Sequence, residues 1–260
     1  MHPILNIAIS AAREAGIYIA RAGNRIDTLT VINKQKHDFV SEVDINAEQI
    51  IIQHIQKAYP SHGIIAEESG IIEGDEYQWI IDPLDGTTNF LHNIPQYAVS
   101  IAVMKKDILQ HSVIYNPVSE ELFYASAGDG AYLNNKRIRV SKNNELDKAL
   151  IGTGFPYRSD QNIDAYLPSL KNFMAKTAGI RRPGSAALDL AWVSCGRFDG
   201  FYEMGLHIWD IAAGVLLIKE AGGMVGDLKG GKTYLKTGNI LAGNPYIFHK
   251  MILEFKKCQL

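Results

Sequence analysis

Apolar residues recur at Ile4/Leu5, Ala8, Ala11/Ala12, Ala15 and Ile19, the spacing of one buried helical face, which predicts a helix over about 3–22. A second stripe, Ala47, Ile50/Ile51, Ile55 and Ala58, follows Ser41 and Asp44 and stops at Pro60. Ser41 with Asp44 three residues on matches a capping box, so a second helix is expected to start there and pack on the first. The period then changes: short runs rich in β-branched and aromatic residues at 63–66, 79–81, 97–104, 109–115 and 122–125 predict strands. Asn116-Pro117 and Gly128-Asp129-Gly130 mark turns between them. Beyond about Leu146, strands near Leu150, Gly200 and Met224 alternate with helices over 164–175, 185–195, 210–221 and 245–256. Such alternation predicts a layered α/β architecture. With no repeat or long linker, 1–260 reads as one unit. Its N-terminal half runs to about 147, with paired helices and a mainly antiparallel sheet, and its C-terminal half of alternating strands and helices covers 148–260.

Composition narrows the class. Of the 260 residues 47% are hydrophobic, enough for a large core without cross-links, and the formal net charge of -2 leaves no broad cationic face for direct nucleic-acid binding. Cys195 and Cys258 are too few for a disulfide framework or a thiolate zinc site, which fits a reducing cytoplasm. The first residues lack a basic leader, Arg13-Glu14 interrupt the apolar pattern, and no apolar run is long enough for a bilayer. A cytoplasmic protein without a membrane span is expected.

The chemistry concentrates at Trp79-Ile-Ile-Asp82-Pro-Leu-Asp85-Gly-Thr-Thr-Asn-Phe90, where a buried strand runs into two acids, a proline, a glycine and two hydroxyls. Pro83-Leu84 restrict the backbone, so the Leu84 carbonyl can turn toward a cation bound by Asp82, and oxygen-only ligands suit magnesium. Gly86, Thr87 and Thr88 can open a short helix whose free amides cradle phosphate. Asp-Pro and Asp-Gly are also common turn pairs, but the complete string is far more specific. Upstream, Glu67-Glu68 ends another apolar strand, where neighbouring side chains should face opposite ways. One acid can then meet a metal while the other orients ligands or water, although a charged strand end entering a loop reads the same. Asp210 follows Trp209 at the start of an apolar helix and, like Asp44, serves equally as a capping acid.

Asp44 in Asp-Phe-Val-Ser-Glu-Val-Asp, Glu67-Glu68-Ser-Gly, Asp82-Pro-Leu-Asp85-Gly-Thr-Thr-Asn-Phe and Trp209-Asp210-Ile-Ala-Ala-Gly stand in an order and spacing that resemble the inositol monophosphatase family over nearly the whole chain. Gly184-Ser-Ala-Ala-Leu-Asp-Leu and Gly205-Leu-His-Ile-Trp-Asp are most similar to its bacterial inositol-1-monophosphatases. The resemblance implies a sugar-phosphatase fold of alternating α-β-α-β-α layers and two or three magnesium ions. It places Glu67, Asp82 and the Leu84 carbonyl on one ion and Asp82, Asp85 and Asp210 on a second, with Glu67 also touching a weaker third through water. Asp44, Glu67 and Thr87 would serve the attacking water, Gly86, Thr87 and Thr88 the phosphate, and Gly184, Ser185, Ala186 and Glu203 the sugar. Ser185 also reads as a helix cap, and Glu203 as a solvated strand-end acid. Glu68 and His207 would support the ligands from behind, and Lys34 or Lys36 would match the family's active-site lysine, though either also reads as an exposed loop lysine. A small phosphorylated polyol or sugar substrate, lithium inhibition, a homodimer and a contact with transcription factors are further implications. Fructose-1,6-bisphosphatases and adenosine bisphosphate phosphatases share the carboxylates, and Asn89-Phe90-Leu91-His92 favours the inositol branch.

Overall fold

The computed structural model describes residues 2–26, 31–35, 38–156 and 162–258, of which 31–35 and 38–40 are described by backbone alone. Helix α1 (Pro3–Gly23) starts at Pro3 behind a His2 cap, and α2 (Glu42–Ala58) starts at the Ser41–Asp44 capping box. Between them β1 (Val31–Gln35) and β2 (Asp38–Ser41) form an antiparallel ribbon. There follow β3 (Gly63–Ala66), β4 (Gly70–Ile72), β5 (Tyr77–Asp85), the short helix α3 (Thr87–Leu91), β6 (Ala98–Lys105), β7 (Ile108–Asn116), β8 (Glu121–Ser126), β9 (Gly130–Leu133) and β10 (Lys136–Arg137). These eight strands make one sheet in the order β10-β9-β8-β7-β6-β5-β3-β4, antiparallel except where β3 runs parallel to β5.

The rest of the chain gives β11 (Leu150–Thr153), α4 (Ile163–Lys176), β12 (Gly179–Arg181), α5 (Ala186–Ser194), β13 (Gly200–Glu203), α6 (Ile208–Glu220), β14 (Met224–Gly226), α7 (Tyr234–Thr237), β15 (Ile240–Gly243) and α8 (Pro245–Lys257). Its strands form a second, mixed sheet in the order β12-β11-β13-β15-β14.

Strand periodicity explains the layering. Trp79 and Ile81 of β5 face α1 and α2, whereas Ile80 between them faces α5 and α6. On β13, Phe201 joins the α5 and α6 side while Tyr202 packs with Phe173 of α4 and Phe255 of α8. The helices and sheets therefore stack as α1/α2, large sheet, α5/α6, small sheet, α4/α8, in agreement with the expected α-β-α-β-α order. Helices α5 and α6 carry almost no polar face because both of their sides are covered: every residue of α6 from Asp210 to Ile218 is buried. They approach closely at Gly214, where a β-carbon would stand 2.4 Å from Leu190 Cβ.

The predicted 79–81 strand is longer than expected, running through Asp85. Asp82 pairs with Ser100 and Asp85 with Ala98, so one extra residue sits on β5. Pro83 brings no amide to the sheet, and a bulge lets a central strand tolerate it. Among the described residues no helix is long and apolar enough to cross a membrane.

Gly214→Leu is expected to force the two middle helices apart and to lower stability by about 1–3 kcal/mol. Urea unfolding followed by circular dichroism measures this, and an unchanged midpoint would mean that the contact is not tight.

Candidate active site

The bulge sets the local geometry of the acids. Asp82 is 1% exposed, and its Oδ1 accepts the Leu84 amide at 3.0 Å, which folds the carboxylate back along its own strand. Asp85 stands at the strand end, where its Oδ2 accepts from Ser185 Oγ at 2.5 Å and the Ala187 amide at 2.7 Å, at the start of α5. Ser185 also caps α5 by accepting from the Leu188 amide, so its capping and site readings coexist. Asp210 reaches the same point from the first turn of α6, with its Oδ2 accepting the His207 amide at 2.7 Å. One ligand atom from each of Asp82, Asp85 and Asp210 lies within 4.8 Å of the others.

Gly86 makes the turn out of β5. Its φ of 98° is the left-handed region that glycine alone adopts without strain, and a β-carbon would meet Gln96 O at 2.8 Å. Helix α3 then starts at Thr87, as anticipated. Thr87 Oγ1 lies 2.8 Å from Asp44 Oδ1 and 3.1 Å from the Leu84 carbonyl, with one hydrogen to share between them. Asp44 also accepts the Ser41 amide and hydroxyl through Oδ2. It is thus a capping acid joined to the cleft through Thr87.

A cavity of about 470 Å³ opens over these groups. Glu67, Asp82, Leu84, Asp85, Gly86, Thr87, Thr88, Gly184, Ser185, Ala186, Glu203 and Asp210 all line it. Asp44, Glu68 and His207 do not. Glu67-Glu68 follow the end of β3 at Ala66, as expected, and Glu67 lines the cavity while Glu68 does not; both acids occupy the turn into β4. The turn closes a β3–β4 hairpin, so strand alternation does not govern them. His207 is an exposed residue whose ring stacks on Trp209 at 4.6 Å, and it meets Asp210 through its backbone. Lys36 lies outside the described residues, and only the backbone of Lys34 is described.

Thr153, Gly154, Phe155, Arg182, Asp189 and Leu206 also line the cavity and had drawn no functional reading. A β-carbon at Gly154 would stand 1.9 Å from Glu203 Oε1, so the absence of a side chain there makes room for that acid. Asp189 is 1% exposed, and its Oδ1 has no hydrogen-bond partner among the described residues. Its place inside the apolar run Ala186–Ser194 was the one available signal, since an acid there is unlike its neighbours.

The electrostatics follow from crowding. Burial first, then the charges of Glu67, Asp85 and Asp210, push Asp82 well above the ordinary carboxylate range. Burial also pushes Asp85 up to about 6, against the opposing effect of its hydrogen bonds from Ser185, Ala187 and Ala186 and of the Arg182 charge. Asp44 and Asp189 are raised as well, chiefly by burial. Acids so placed resist ionisation unless a cation balances them, and their donor atoms are all oxygen, so the site fits a hard divalent ion.

A cleft of clustered carboxylates between two sheets, on an α-β-α-β-α stack, defines a layered α/β protein with an acidic metal-binding centre. The chain belongs to the inositol monophosphatase family, whose model matches residues 1–259. It is 51% identical over 258 residues to the Nus factor SuhB of Pseudomonas aeruginosa, covering 97% of this chain and 95% of that protein. Among solved structures it superposes on the extragenic suppressor protein suhB of Bartonella henselae with a TM-score of 0.96 and 45% identity, over 98% of this chain and 99% of that one. The inositol monophosphatase of Anabaena gives 0.86 and 38%, over 98% and 95%.

The raised carboxylates make the metal-free protein sensitive to pH. Asp85 holds a proton in the folded chain up to about 6 but only to about 3.8 when unfolded, so its contribution to stability is full below the lower value and is lost as pH rises through the upper one. In chelator, the stability of the parent protein relative to Asp85→Asn is therefore expected to fall between about pH 4 and 6 and to level off above that. Paired thermal melts check this, and a difference that does not change with pH would refute it.

Proposed function

We propose that the chain is a magnesium-dependent phosphatase that hydrolyses small phosphate monoesters of polyols or sugars, inositol 1-phosphate first among them. The convergence of Asp82, Asp85 and Asp210 beside a cavity of substrate size carries the reading. Glu67, Asp82 and the Leu84 carbonyl would hold one magnesium, Asp82, Asp85 and Asp210 a second, and Glu67 a weaker third through water. When bound, the ions supply positive charge and Lewis acidity at the phosphoryl oxygens.

The chain's own groups do the rest. Thr87 Oγ1 has its hydrogen engaged by Asp44 or the Leu84 carbonyl, so its lone pairs are free to orient the attacking water, with Asp44 and Glu67 favouring loss of the water's proton. Amides of Gly86 and Thr87, with the Thr88 side chain, steady the phosphate. Gly184, Ser185 and Ala186 form the wall against the sugar, and Glu203 accepts from its hydroxyls. The attack is direct, without a covalent phosphoenzyme. Family likeness adds a homodimer, a cytoplasmic location and inhibition by lithium.

A second reading rests on the relatives named Nus factors: contact with transcription factors, independent of hydrolysis. An Asp85→Asn chain that sustains the cellular role in a deletion strain would favour it.

Asp85→Asn is expected to fold yet to lose magnesium-dependent phosphate release by about 100-fold or more, as loss of a metal-site group implies. A release assay over inositol phosphates, glycerol phosphates, sugar bisphosphates and nucleotides tests substrate and metal together. Chelation should stop release and magnesium restore it. Turnover that persists in chelator would end the metal reading, and a clear preference for fructose 1,6-bisphosphate would move the chain to the neighbouring branch.

A further inference from the structure

Glu48 lies on α2, is 2% exposed, and does not line the cavity. Its Oε2 accepts the Glu68 amide and its Oε1 the Ser69 amide, each at 2.8 Å. The amide before them, that of Glu67, donates to the Ile81 carbonyl of β5 at 3.2 Å. Three successive amides of the 67–69 turn are therefore held, two of them by one side chain that arrives from a separate helix. These are charge-assisted bonds, stronger than those a neutral acceptor would give, and they leave neither carboxylate oxygen of Glu48 without a donor.

The turn needs that strength because of what it carries. Glu67 lines the cavity, and its negative charge acts on the buried Asp82. Repulsion between the two acids presses the turn outward, away from β5. The pairing of β3 with β4 and β5 and the Glu67–Ile81 bond anchor the start of the turn, but the Glu68 and Ser69 amides have Glu48 as their acceptor. Without it that end of the turn can shift and draw the carboxylate of Glu67 from the centre. Glu48 pulls the other way. It does so through the backbone of the turn.

Resting on the metal assignment proposed above, we infer that Glu48 is a positioning residue for the metal centre: by clamping the Glu68 and Ser69 amides it sets how closely Glu67 approaches Asp82, and so sets the affinity for the divalent ion that Glu67 helps to hold. Glu48→Gln keeps the length of the side chain but places an amide donor against a backbone donor, so one of the two bonds is lost. Glu48→Asp keeps the charge but falls one methylene short.

The test is Mn²⁺ binding, followed by the electron paramagnetic resonance signal of the free ion, with no substrate present. The parent chain, Glu48→Gln, Glu48→Asp, Glu67→Gln and Phe173→Leu are compared, the last as a destabilised core variant that belongs to neither the cavity lining nor the turn. Glu48→Gln is expected to weaken Mn²⁺ binding about 10-fold or more, Glu48→Asp less, and Phe173→Leu not at all. With phosphate release as a second readout, the half-saturating magnesium concentration should rise more than kcat falls. Should Glu48→Gln fail to fold, Glu48→Asp decides the matter by the same measurement. Unchanged Mn²⁺ affinity in a folded Glu48 variant, beside weakened affinity in Glu67→Gln, overturns the positioning role and leaves the metal assignment standing. Unchanged affinity in Glu67→Gln overturns the metal assignment of Glu67 itself, and the inference with it.

Discussion

Acidic groups brought together out of water repel one another, and most of the structure around the cleft is arranged to hold them there. Asp82, Asp85 and Asp210 offer oxygens within 4.8 Å of one another, in surroundings that already disfavour charge. Each is fixed by its own donors: Asp82 by the Leu84 amide, Asp85 by Ser185 and Ala187, Asp210 by His207. A donor on one carboxylate oxygen limits rotation and leaves the group aimed. The frame thus resists a force that the metal-free cluster would otherwise relieve by splaying apart.

The layers supply that frame. Asp82 and Asp85 come from the centre of the large sheet, and Asp210 from a helix in the middle of the stack, buried on both sides. Glu203 ends β13 of the second sheet, and Gly184 to Ala186 lead into α5. The cleft therefore draws Asp82 and Asp85 from one sheet and Glu203 from the other, with Asp210 coming from α6 and Gly184 to Ala186 from the start of α5 between them. Close packing at Gly214 and Leu190 makes the separation of those two helices a property of the core.

Much of this was legible in the chain. The helices α1, α2, α4, α5, α6 and α8 announced themselves by caps and apolar spacing, and β3, β5, β6, β7 and β8 of the large sheet by β-branched runs. The less visible elements were short or lacked alternation: β4 and β12 have three residues each, β10 has two, and β15 is continuously buried, so period two has nothing to show. At the site, the Asp82 to Phe90 string identified a centre because proline, glycine and paired acids rarely coincide without a use. Glu67-Glu68 were placed at the right strand end, but it is the hairpin turn, which a sequence cannot tell from a continuing strand, that sends only Glu67 into the cavity. Asp189, Arg182 and Gly154 were out of reach of local pattern. Their meaning depends on neighbours from other elements, such as Glu203 beside Gly154, which only the tertiary fold brings near.

One side-chain amide ties the two rims of the cleft. Asn89 of α3 donates to the carbonyls of Gln96 and Pro183 at 2.7 and 2.8 Å, and it is itself buried. It joins the segment that begins at Gly86 to the loop that leads into Gly184. Moving the two segments apart requires breaking a buried bond that water cannot readily replace. The spacing of Gly86 and Gly184 along the cavity is then a property of the folded chain itself, fixed by the same hydrogen bonds that order its core.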